Sequence, residues 1–285
     1  MAIICPKCGR QYDVVLFDFQ SYILCDCGYK ITKEDLHRRF LLTSAVYVII
    51  PARYQSTRFP GKVLVKWQKK PLIQHVYECA NKSPLPKAVF IATDDKRIAN
   101  CVKTFKGNVI MTSSKHPSGT DRLAEAAQLL KLSPTDIIVN VQGDMPYFPP
   151  QIIEEVANPL LNNPFLTMAT LVCKITDTKE IYDPNCVKVV FSQNGRAIYF
   201  SRSPIPYYRD ETKTIYYKHI GIYAYRKAFL DKYIKLSQTP LEKAECLEQL
   251  RVLEHGYTIY INVTEHEVID INTPEDLKKL EKINF

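Results

Sequence analysis

Glycine is scarce in this chain: nine in 285 residues, under half the usual share of about 7%. With so few, neither G-x-G-x-x-G nor G-x-x-x-x-G-K-[ST] occurs, which excludes a dinucleotide-binding fingerprint and a P-loop. Any phosphate bound here must be held by arginine and lysine side chains. Collagen-like and flexible-linker readings fall with the same count. Long apolar runs are missing too, with no stretch approaching about 18 residues. The start, MAIICPKCGRQ, lacks the basic-then-apolar layout of a secretory signal. The expectation is a cytoplasmic protein.

What the chain does have is ordinary soluble composition, 46% apolar and 24% charged, with a formal net charge of +8. The length suits one large domain plus a small appendage. The positive excess points to an anionic partner, nucleic acid or a phosphorylated small molecule. Nine cysteines in a reducing compartment fit metal binding or burial better than a disulfide framework. Five of them (Cys79, Cys101, Cys173, Cys186, Cys246) are scattered singly through apolar contexts and read as small buried hydrophobes.

The other four form C-x2-C-x16-C-x-C: Cys5, Cys8, Cys25 and Cys27. Each pair is followed by a glycine, and together they can present four sulfurs tetrahedrally to Zn²⁺. About 30 residues cannot bury enough apolar surface to fold unaided, so a metal would supply the missing stability. The short C-x-C spacing leaves chance clustering or a degenerate site as the alternative. Residues 1–44 carry six basic and five acidic groups, net +1, and a tetrathiolate zinc site would add −2. Nucleic-acid binding by this segment is therefore not expected, and the remaining +7 belongs to the rest of the chain.

The organisation follows: a β zinc ribbon over 1–32, with β-prone sequence at Tyr12–Phe19 and Tyr22–Leu24, a charged helical connector over 33–44, and a large domain over 45–285. In the large domain, strands at 45–50, 87–95, 108–112 and 136–141 alternate with helices at 71–83 and 119–131. That pattern predicts βαβ units, a mostly parallel sheet and an α/β class. Later, Ser192-Gln193-Asn194-Gly195 predicts a hairpin, 216–225 a strand, and Thr239 through His255 one helix. Two short strands and a final helix from Thr273 complete the reading.

After the first strand comes Pro51-Ala52-Arg53-Tyr54-Gln55-Ser56-Thr57-Arg58-Phe59-Pro60-Gly61-Lys62. Three cations at a strand's C-terminal end sit where open α/β sheets bind ligands; a solvated basic loop is the plainer alternative. This segment, His116-Pro117-Ser118-Gly119-Thr120-Asp121-Arg122, Asn140-Val141-Gln142-Gly143-Asp144, Tyr199-Phe200-Ser201-Arg202, His219-Ile220-Gly221-Ile222-Tyr223 and Leu247-Glu248-Gln249-Leu250-Arg251 run in one order. The set resembles the 3-deoxy-manno-octulosonate (Kdo) cytidylyltransferases over residues 45–285.

The resemblance implies a Rossmann-like nucleotidyltransferase fold with helices on both sheet faces. It implies transfer of CMP from CTP to the anomeric hydroxyl of Kdo or a close analogue, with release of pyrophosphate, for lipopolysaccharide biosynthesis. It places Arg53, Lys62 and Asp144 as catalytic residues. CTP would be met by Arg53, Arg58, Lys62, Ser118, Gly119, Arg122 and Gln142, and the sugar by Arg202, His219, Tyr223, Glu248 and Gln249. It also implies Mg²⁺ on Asp144 and a homodimer, with no membrane insertion.

Three positions depart from the family pattern: Met145 and Asp121 stand where glutamate is common, and Asn272 aligns with a second metal-binding aspartate. An amide oxygen can ligate Mg²⁺ but brings no charge. Asp270, two residues earlier, lies on the same side of an extended strand and is the expected replacement; a solvent-facing Asp270 with weakened metal binding is the alternative. Two further readings are a synthetase for another ulosonic (sialic-type) acid and a weakened homologue with a binding or regulatory role.

Overall fold

A computed structural model describes residues 2–13, 20–35, 44–55, 59–209, 215–271 and 273–280. Arg58, Asn272, most of the connector and residues 14–19 of the first β-prone stretch lie outside them.

The N-terminal segment is two hairpins. β1 (Ala2–Ile4) pairs antiparallel with β2 (Gln11–Asp13), and β3 (Tyr22–Leu24) with β4 (Lys30–Thr32). Gly9 (φ 76°) and Gly28 (φ 82°) take the left-handed turn conformation that a side chain resists. Ile3, Ile23 and Ile31 pack with Cys5 and Cys25 in a core of their own. At the connector's start, Asp35 N donates to Thr32 Oγ1 (3.3 Å) and Thr32 N donates to Asp35 Oδ2 (2.9 Å), the reciprocal cap of a helix N-terminus.

In the large domain β5 (Val46–Ala52) runs down the middle of the sheet. A small hairpin of β6 (Lys66–Trp67) and β7 (Lys70–Pro71) leads into α1 (Leu72–Asn81). There follow β8 (Ala88–Thr93), α2 (Lys96–Thr104), β9 (Val109–Met111), α3 (Gly119–Leu129) and β10 (Ile137–Asn140). β10, β5, β8 and β9 are parallel neighbours in that order. α4 (Gln151–Asn162) and β11 (Met168–Lys174) come next, then α5 (Thr178–Tyr182), β12 (Lys188–Phe191) and β13 (Ala197–Ser201). β14 (Tyr217–Arg226), α6 (Lys227–Tyr233), α7 (Pro240–Glu245), α8 (Leu250–Glu254), β15 (Tyr260–Thr264) and α9 (Pro274–Leu280) complete the chain.

Alternation along β5 sets the layers. Val46, Val48 and Ile50 face a core built with α1, α2 and α4, while Ile49 faces one built with α3, α6 and α8. Both faces are thus covered by helices, as expected of a buried parallel sheet.

The sheet is mixed where a mostly parallel one is expected. β14 runs antiparallel to β10, β11 and β12, and β12 pairs antiparallel with β13; β11 and β15 are parallel. A parallel return needs a crossover of a dozen or more residues, and the Ser192–Gly195 turn is far too short. Gly195 (φ 78°) also lies against the Tyr260 ring, where a Cβ would come within 2.7 Å.

One expected helix, 239–255, is two. Cys246 has φ 52°, and α7 and α8 lie on either side of it. Arg202 supplies the reason: its Nε donates to Glu245 O (2.7 Å) and its Nη2 to Cys246 O (3.4 Å). These tertiary bonds satisfy carbonyls that a continuous helix would have used itself. Two short strands expected near the end reduce to β15 and a single bridge between Ile269 and Tyr147.

Candidate active site

At the C-terminal ends of the parallel strands lies a cavity of about 290 Å³. Arg53 and Pro51 enter it from the end of β5, Asn140 and Gln142 from the end of β10, and Ser118, Gly119 and Thr120 from the start of α3. Tyr223 and Tyr225 come from β14, Tyr233 from α6, and Glu248 and Gln249 from the break between α7 and α8. The break therefore has a use: it turns two polar side chains inward that a straight helix would carry past.

Ser118 caps α3, its Oγ accepting from Asp121 N (3.2 Å). The same hydroxyl has two acceptors for its single proton, Asp121 Oδ2 (2.6 Å) and Glu248 Oε1 (3.1 Å). Thr120 Oγ1 donates to Glu248 Oε2 (3.1 Å). Burial raises the Glu248 carboxyl above the usual carboxylate range although both hydroxyls favour its charged form. Burial likewise raises Tyr223, Tyr225 and Tyr233, so all three phenols keep their protons.

Beside the cavity, Lys62 Nζ donates to Asp144 Oδ2 at 2.5 Å and to Ile271 O at 3.2 Å. Gly61 (φ 69°) starts the turn that carries Lys62, and its Cα faces the Tyr54 ring so closely that a Cβ would sit 3.1 Å away. Ile271 N donates to Asp144 O (2.8 Å), which ties the 269–271 segment to the loop after β10. Asp270 is exposed to solvent, as the alternative reading of this position has it, and the protein around it and then the Asp144 charge shift its carboxyl upward. Asp144 and Asp270 are oxygen ligands of the kind a hard divalent ion such as Mg²⁺ takes, and Lys62 holds one Asp144 oxygen here.

Besides Lys62, three expected ligand contacts among the described residues stand away from the cavity lining. Arg122 is 1% exposed and is held by Asp94 (3.0 Å) and Thr112 Oγ1 (2.5 Å). Arg202 spends its guanidinium on the carbonyls of Glu245, Cys246 and Pro184, the last at 2.7 Å. His219 Nε2 lies 3.0 Å from Thr170 Oγ1, and its ring packs edge-on to Phe200 and tilted against Tyr223. Burial lowers the imidazole to about 3, so it is neutral at pH 7. The resemblance gives no ligand role to four polar lining residues: Thr120 and Asn140, which lie within its motifs, and Tyr225 and Tyr233, which lie outside them. Asn140 carried a signal, a lone amide ending the apolar strand Ile137–Val139; Tyr233 carried none.

In the N-terminal segment the ligand atoms of Cys5, Cys8, Cys25 and Cys27 all lie within 4.8 Å of one another. Cys8 and Cys25 are 3.3 Å apart and Cys5 and Cys27 3.6 Å. A tetrahedral ion with Zn–S bonds of about 2.3 Å needs sulfurs about 3.8 Å apart, so the cluster could bind a metal with little movement. Tyr12 Oη donates to Cys25 Sγ (3.1 Å) and accepts from Asp26 N (3.2 Å). Burial of Cys25 works against its thiolate, but the Tyr12 hydroxyl and neighbouring donors outweigh it and lower the thiol's pKa.

Comparison with known proteins identifies the family of the large domain. A family profile described as Cytidylyltransferase matches residues 47–263. A 3-deoxy-manno-octulosonate cytidylyltransferase of Syntrophus aciditrophicus (strain SB) is 51% identical over 239 residues, 84% of this chain and 96% of its own length. One from Geobacter sulfurreducens is 47% identical over 250 residues, 84% and 99% respectively. Among solved structures, CMP:2-keto-3-deoxy-manno-octonic acid synthetase complexed with CTP superposes with a TM-score of 0.79 at 42% identity, over 84% of this chain and 97% of that one.

Proposed function

The chain belongs to the 3-deoxy-manno-octulosonate cytidylyltransferase family, and from that premise we propose that it transfers CMP from CTP to the anomeric hydroxyl of Kdo. The sugar oxygen forms a bond to the α-phosphorus as the bond to the pyrophosphate oxygen breaks, and pyrophosphate leaves. Such a step needs charge neutralisation and in-line positioning more than covalent help.

The observation that carries the reading is the polarity of the site. Arg53 of the β5 loop lines the cavity with Lys62 beside it, and the lining also carries Glu248, Gln249 and three protonated tyrosines. Triphosphate belongs with the cations, Arg58 of the same loop included, and the neutral polyol of the sugar with the acceptors. Ser118, Gly119 and Gln142 flank the base, and Tyr223, Glu248 and Gln249 meet the sugar. Arg202 and His219 act at one remove, Arg202 by fixing the turn that presents Glu248 and His219 by packing on Tyr223. Mg²⁺ bound by Asp144 and Asp270, with Asn272 adjoining, would supply additional neutralisation of phosphate charge. Residues 1–32 are an appended ribbon with a structural Zn²⁺, 33–44 a connector and 45–285 the catalytic domain. The protein works as a cytoplasmic homodimer; no helix among the described residues is long and apolar enough to cross a membrane.

Pyrophosphate release from CTP and Mg²⁺ with a panel of ulosonic acids tests this. Kdo should be the preferred acceptor, and Asp144→Ala should lower turnover about 10³-fold. Release with no acid in the panel would overturn the enzyme reading, and turnover surviving Asp144→Ala would overturn the metal assignment.

A further inference from the structure

We propose that Asn140 is a specificity-determining residue whose side-chain carbonyl accepts a hydrogen bond from a hydroxyl of the sugar acid. The inference rests on the transferase reading of the cavity and adds to it a motif residue to which the resemblance gives no role.

Asn140 is 2% exposed, lines the cavity, and its Oδ1 has no hydrogen-bond partner among the described residues. Its main chain is pinned on both sides, opposite Ile49 of β5 and Tyr223 of β14, so the side chain cannot reach solvent by shifting the strand. A buried amide oxygen without a donor is costly, and of the unpartnered buried side-chain atoms among the described residues this is the one that lines the cavity, where a ligand can supply the partner. A carbonyl only accepts, so that partner must bring an O–H or N–H.

The surroundings decide between those. Thr120 and Asn140 both act on the Tyr225 hydroxyl, and Thr120 also donates to Glu248. Asn140 thus ends a buried polar wall that runs from Glu248 through Thr120 and Tyr225. That wall carries the Glu248 carboxyl, which disfavours phosphate and the acid's own carboxylate, and at its end the unpartnered Asn140 carbonyl. Both anionic groups belong with Arg53 and Lys62 instead. A cytosine offers one exocyclic amine, whereas the tail of an eight-carbon sugar acid offers several hydroxyls, the complement of these acceptors.

The test is steady-state kinetics of wild type, Asn140→Ala and the near-isosteric Asn140→Asp, with Kdo and with analogues that each lack one hydroxyl. Asn140→Ala should raise KM for the sugar acid about 10- to 100-fold and leave KM for CTP within about twofold. One analogue should be a poor acceptor for wild type and no worse than Kdo for Asn140→Ala. CTP binding measured by calorimetry shows that each variant keeps its pocket, and Asn140→Asp serves if Asn140→Ala does not fold. A raised KM for CTP with the sugar term unchanged would place the amide on the base and overturn the proposal. Unchanged constants for both substrates would do the same. Failure of wild type to use Kdo at all would instead count against the transferase reading.

Discussion

The N-terminal hairpins and the large domain keep their shape by different means. The hairpins bury three isoleucines and two cysteines, with strands of three residues each. The large domain encloses two apolar layers on either side of a nine-stranded sheet, and it can afford strain, cut helices and orphaned polar atoms at its cavity. A small unit with four converging thiols can draw its stability from a bound metal; a large one has stability to spare, and places its polar groups for ligands.

Chelation separates the two most sharply. Stripping a tightly bound zinc from the thiols removes binding energy on the order of 10 kcal/mol, more than so small a core can replace. Hydrogen exchange over residues 2–32 should then become unprotected, while turnover by the large domain stays within about twofold. Equal protection before and after chelation, or less than about half an equivalent of zinc in reduced protein, would mean the hairpins stand without metal.

The converse perturbation is Arg226→Met. Arg226 is 1% exposed and donates to the carbonyls of Leu160, Asn163, Leu166 and Thr135, which joins the end of α4 to the strands on either side. Removing the guanidinium leaves buried carbonyls unpaired, for an expected loss of about 3 kcal/mol in denaturant unfolding of the large domain. The zinc content should not change. A loss under about 1 kcal/mol would show that water replaces the guanidinium.

The smallest effect is a pH dependence confined to the large domain. His219 titrates near 3 when folded, against about 6.5 in an unfolded chain. As pH falls, the unfolded chain takes up the proton first, so stability is intact above about 6.5 and declines toward about 3. The difference in melting temperature between wild type and His219→Gln should therefore narrow across that window. Parallel curves would mean the imidazole titrates as if in water.

The cysteine cluster was legible because ligand spacing is local: each pair sits on one turn, and Gly9 and Gly28 mark where the chain bends. The alternation of strands and helices up to Val141 was legible for the same reason, since each apolar period is read from neighbouring residues. Met168–Lys174 and Gln151–Asn162 were less so. The strand is buried almost throughout, without alternation, and the helix carries an internal Pro159. Motif residues in the loops from 53 to 62, 116 to 122 and 140 to 144 could be named, but not which of them face one cavity. Arg122 and Arg202 share motifs with ligand-facing neighbours and are nonetheless committed elsewhere.

The sequence by itself determined the cysteine cluster, the family and the absence of a glycine phosphate cradle. Tertiary structure alone decided that Lys62 meets Asp144 across 82 residues, that Thr120 donates to Glu248 across 128, and that Arg202 caps the turn between α7 and α8 from which Glu248 enters the cavity. Local propensity depends on near neighbours, whereas a buried polar group is fixed by whichever distant partner satisfies it. Asn140, the one buried amide at the cavity without such a partner, marks where the protein leaves that choice to its substrate.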